Sequence, residues 1–84
     1  MQDDMSNLTR EQQSMPGFVK RALLERGLMG AYDGRPPYQR NDYLLWIKSA
    51  KRQETKEKRL DQMLDELEAG GIYMNMRHPA SRKR

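Results

Sequence analysis

The chain has no cysteine. No disulfide can brace it and no thiolate can hold a metal, a usage that fits a reducing compartment. Histidine is almost as scarce. The single one, His78, stands beside Pro79 near the end of the chain. With no histidine in the region expected to fold, Ser14 and Ser49 lack the base that a hydroxyl nucleophile needs. No apolar run approaches the roughly 20 residues of a membrane span. The N-terminal stretch MQDDMSNLTREQQ has neither the basic start nor the apolar middle of a signal peptide. Gly27, Gly30 and Gly34 have no preceding strand, so they make no phosphate-cradling loop. No segment alternates apolar and polar residues for long enough to specify a strand. These absences point away from catalysis, metals and cofactors, and toward a cytoplasmic protein that works by binding.

What is present is charge and helical patterning. The 84 residues allow one domain and carry a net charge of +4. A chain this short buries a limited fraction of its surface, so its stability is expected to be low and a weak homodimer would raise it. The charge is uneven. Asp3, Asp4 and Glu11 outweigh Arg10 in residues 1–15, whereas Arg77, Arg82, Lys83 and Arg84 make residues 77–84 wholly basic. Residues 1–15 show no periodicity and read as a disordered segment, and residues 77–84 read as a disordered basic tail. The folded region is expected at residues 16–76.

Helical spacing is clear there. Pro16 suits a first turn, and Phe18, Val19, Ala22 and Leu23 line one face up to Gly27, a residue able to take the left-handed conformation that ends a helix. Leu28 to Asp33 reads as a short helical turn with Leu28, Ala31 and Tyr32 inward, followed by the Arg35-Pro36-Pro37 break. Tyr38 to Ala50 places Tyr43, Trp46, Ile47 and Ala50 at i, i+3, i+4 and i+7, with Trp46 expected as a core anchor. The last helix spans Gln53 to Ala69, with Leu60, Met63, Leu64 and Leu67 on its apolar face. Gly70-Gly71 ends it, and Tyr73, Met74 and Met76 are expected to fold back over the core edge. The sum is an all-α bundle of three main helices plus one short helical turn.

The charge order of the last helix is unusual. Residues 48–59 hold six basic and two acidic side chains, whereas residues 61–68 hold four acidic and no basic ones. A positive start and a negative end oppose the helix dipole. One explanation is a solvated face with compensation from neighbouring helices, and Asp61, Asp65, Glu66 and Glu68 read as such a face rather than as a metal cage. The sharper explanation is an anion site: Lys51, Arg52 and Thr55 around the free N–H groups of a helix start, with Ser49, Arg59 and, from the preceding helix, Arg40.

The same segment, Tyr43-Leu44-x-Trp46-Ile47-x-x-Ala50-Lys51-Arg52-x-Glu54-Thr55-Lys56-x-x-Arg59-Leu60, resembles the signature of the YdeI/OmpD-associated family, also named for bacteriocin protection. The similarity covers roughly residues 16–74 and is most specific at 43–60. Position 53 is often proline in similar sequences and is Gln53 here. The resemblance implies a small bacterial helical domain linked to envelope-directed or antimicrobial stress, in a short stand-alone form because many relatives carry a separate N-terminal domain first. It implies no catalytic residue. The partner expected for the basic corner is an acidic protein or an anion. The alternative is nucleic acid, contacted by residues 48–59 and the C-terminal tail.

Overall fold

A computed structural model of the chain describes residues 13–77. The disorder expected of residues 1–12 and 78–84, and the tail residues His78, Arg82, Lys83 and Arg84, lie outside the described residues. Within them the chain forms four helices and a two-stranded hairpin: α1 Gly17–Glu25, α2 Met29–Asp33, α3 Pro37–Ser49, α4 Gln53–Ala69, β1 Ile72–Tyr73 and β2 Met76–Arg77.

Pro16 stands just before α1, extended at φ −66° and ψ 153°. Its carbonyl accepts from the N–H groups of Val19 and Lys20, both at 3.1 Å. Helix α1 ends because Gly27 turns to φ 67°. That turn lets the Leu28 N–H reach the Leu23 carbonyl at 2.8 Å and the Gly27 N–H reach that of Leu24 at 3.2 Å, the paired bonds of a Schellman termination. Helix α2 stops differently. Gly34 keeps a right-handed φ of −76°, and the following Arg35-Pro36-Pro37 excludes further helix because a residue before proline disfavours the α region. Pro36 then leads into α3 with Pro37 in its first turn, where the missing N–H costs nothing.

The core lies among α1, α3 and α4, closed by α2 and the hairpin. Val19, Leu23, Leu28, Tyr32, Tyr43, Leu44, Ile47, Leu60, Met63, Leu64, Leu67 and Tyr73 form one buried cluster. The expected stripes supply nearly all of it. Trp46 departs from expectation: it packs against the cluster from its edge and is only half-buried.

Two boundaries also move. Residues 13–15 belong with the fold. The Gln13 N–H donates to Asn41 Oδ1 at 2.6 Å, the Ser14 carbonyl accepts from Lys48 Nζ at 3.1 Å, and Met15 packs on the core. At the other end Arg77 pairs with Ile72, and Tyr73 with Met76, in an antiparallel hairpin. Alternation over two residues per strand is too short for a sequence pattern to reveal.

Candidate functional site

The hairpin sits where it does because of buried polar groups. Its turn residues, Met74 and Asn75, have φ of 51° and 67°, as a tight two-residue hairpin turn demands. Methionine resists that conformation. What holds it is Glu66 on α4, whose carboxylate accepts the Met74 N–H at 2.9 Å and the Asn75 N–H at 2.8 Å. The same carboxylate accepts from the Tyr43 hydroxyl and from Gln62 Nε2 at 3.0 Å. Glu66 is only 4% exposed, so it departs from the solvated acidic face expected of it with Asp61, Asp65 and Glu68. Burial and the bond to Glu66 push the Tyr43 phenol well above its ordinary range.

Arg35 is the second buried charge. Its guanidinium donates to the Ile72 carbonyl at 2.7 Å, the Glu66 carbonyl at 2.9 Å and Gln39 Oε1 at 3.2 Å. It also stands 5.9 Å from the centre of the Tyr43 ring. Arg35 thus sits at the carbonyl end of α4, where a cation is favoured, and is more than a linker residue. Gln39, fully buried, donates in turn to the Tyr38 hydroxyl at 3.1 Å. Tyr73 closes the network, donating to Asp42 Oδ2 at 2.8 Å and meeting Tyr43 edge to face at 5.3 Å. This network ties α3, α4 and the hairpin together as a clamp.

The residues selected from sequence separate into three groups. Ser49 and Arg59 cap α3. Ser49 Oγ and Arg59 Nη1 both donate to the Trp46 carbonyl, at 3.0 and 2.7 Å. Arg59 also donates to Ser49 Oγ at 3.3 Å and lies 5.3 Å from the centre of the Trp46 ring. Lys51 and Arg52, by contrast, are exposed. Arg52 precedes α4 in extended conformation, and its side chain makes no capping hydrogen bond. Thr55 is half-buried one step further on. Among the described residues the ion pairs are those of Arg26 with Asp65 at 3.6 Å and with Glu68 at 2.8 Å; neither Lys51 nor Arg52 is in one, and Glu54 is the acidic residue in the first turn of α4.

Arg40 lies elsewhere. It is about three turns of α3 before Lys51, beside a cavity of about 500 Å³ that it lines with Gln13, Tyr32, Tyr38, Asn41 and Leu44. Among the described residues no group of histidine, cysteine, aspartate and glutamate is arranged to hold a metal ion, and no helix is long and apolar enough to cross a membrane.

Arg35, Gln39 and Glu66 are the polar residues that sequence reading missed. One signal was present: Glu66 falls within the apolar stripe of α4, three residues after Met63 and one before Leu67.

No curated protein and no solved structure matches the chain. A family model does, over residues 14–70, which begins where the extended stretch docks on α3 and ends at the glycine that closes α4. The motif at 43–60 therefore lies within a match spanning most of the fold, and the chain belongs to the family described as bacteriocin-protection, YdeI or OmpD-associated.

Proposed function

We propose that the domain is a non-enzymatic, cytoplasmic binding module of a bacterial cell, which grips an acidic protein surface or an anion through Lys51, Arg52 and Thr55. The service we assign to it is protection against bacteriocins or related envelope-directed stress, in keeping with the family's description. The observation that carries the reading is that Lys51 and Arg52 are exposed at the start of α4 and that, among the described residues, neither is in an ion pair. Free N–H groups and the helix dipole already favour negative charge there, and two exposed cations add to the field. Ser49 and Arg59 contribute indirectly by fixing the end of α3, which sets the direction of the turn.

The test is capture from cell extract after nuclease treatment, with wild type and Arg52→Glu as baits. The wild type is expected to retain an acidic protein that Arg52→Glu loses while remaining folded. Equal capture by both baits rejects this corner. Capture that disappears with nuclease, together with binding that falls steeply as salt rises, transfers the reading to nucleic acid.

A further inference from the structure

The cavity beside Arg40 lies apart from the corner and from Glu66, and shares Tyr38 with the clamp. Arg40 stands in the second turn of α3, and its Nε is buried with no hydrogen-bond partner. A buried N–H on a charged group is seldom left so, because its lost hydration is then not replaced. The ion pairs among the described residues do not include Arg40. Its charge reaches the neighbouring Tyr32, where it works against the rise that burial imposes on the phenol. The rest of the lining is different in kind. Tyr38, 43% exposed, offers an accessible phenol ring, and the buried Tyr32 and Leu44 stand behind it. The rim is fixed, since Asn41 Oδ1 holds the Gln13 N–H at 2.6 Å. A volume of about 500 Å³ lies within the range of small-molecule pockets.

We infer that this cavity is a binding site for a small aromatic carboxylate, its two oxygens held by the Arg40 guanidinium and its ring set against Tyr38, close to the buried Tyr32 and Leu44. A guanidinium presents a planar fork that matches a carboxylate. One guanidinium balances one negative charge, and the lining residues include no second cation to balance a phosphate dianion. The exposed Tyr38 ring favours an aromatic ligand over a bare anion. The site takes a small molecule because it is recessed, whereas Lys51 and Arg52 are simply exposed.

Benzoate is the probe, titrated into the full isotope-labelled chain while the Arg40 Nε–H signal and the backbone amides of Tyr32 and Leu44 are followed by NMR. Saturable shifts at all three are expected, with a Kd on the order of 1 mM or tighter. Benzyl alcohol, which lacks the charge, and inorganic phosphate, which lacks the ring, are each expected to bind at least about tenfold more weakly. Arg40→Gln is expected to weaken benzoate by at least about tenfold. Arg40→Lys keeps the charge without the fork and is expected to lose part of the affinity. It decides the matter should the glutamine variant fail to fold. The inference is overturned by the lack of any saturable shift at Arg40 Nε–H up to about 10 mM benzoate, by unchanged affinity in a folded Arg40 variant, or by phosphate binding as tightly as benzoate.

Discussion

Glu66 and Arg52 are both charged residues of a strongly charged helical segment, and their environments could hardly differ more. Glu66 is sealed beneath a hairpin and accepts bonds from Tyr43, Gln62, Met74 and Asn75. Removing its carboxylate by Glu66→Ala leaves a phenol and two turn amides without acceptors. The cost should be about 3 kcal/mol in chemical denaturation. Tyr43 makes a pH prediction. Its phenol would ionise near 10.0 in an unfolded chain and ionises higher in the fold. Between those two values the native state keeps a proton that the unfolded chain has lost, so stability falls as pH rises. Below about pH 10 the contribution is fully present. Denaturation midpoints should therefore hold steady toward neutral pH and drop above about 10. Tyr43→Phe should flatten that alkaline limb while costing about 1–2 kcal/mol at neutral pH. Tyr32, also raised by burial, leaves a residual slope of the same sign.

At the scale of elements, helix ends are set by short-range rules and were readable in advance. Gly27 takes the positive φ that its position after a leucine-rich face suggests. A Cβ there would meet nothing within 4 Å, so Gly27→Ala tests backbone conformation alone and should cost about 1 kcal/mol. Gly70 is more demanding. Its φ of 73° with ψ of 152° lies in a region that essentially only glycine occupies. Gly70→Ala should cost about 1–3 kcal/mol and loosen the hairpin over Glu66, giving faster amide exchange at Met74 and Asn75 than at Leu64. The boundaries of α4 follow from its stripe and its closing glycines. The hairpin does not, since the carboxylate that organises its turn lies eight residues before Met74 in the sequence. Similarly, Trp46 fits a core stripe by spacing, yet Arg59 from the next helix covers its ring at the edge.

For the molecule as a whole, the uneven charge separates stability from recognition. Arg26 bridges α1 to the acidic end of α4 through exposed ion pairs. Arg26→Ala should change stability by less than about 1 kcal/mol. Arg52→Glu should leave the thermal midpoint within a few degrees of wild type, since among the described residues it breaks no side-chain hydrogen bond or ion pair, while reversing charge at the exposed corner. A large loss of stability in that variant would show that Arg52 supports the fold itself. The sequence alone determined the four helices, their apolar faces and the family, because helical periodicity, proline placement and glycine terminations act over a few residues. Only the tertiary structure decided that Glu66 and Arg35 are buried partners of a hairpin, that Arg59 and Ser49 are occupied with a helix end, and that Arg40 faces a separate cavity. Whether a charged side chain meets solvent or a distant backbone group depends on how helices cross, and no local pattern of residues encodes that crossing.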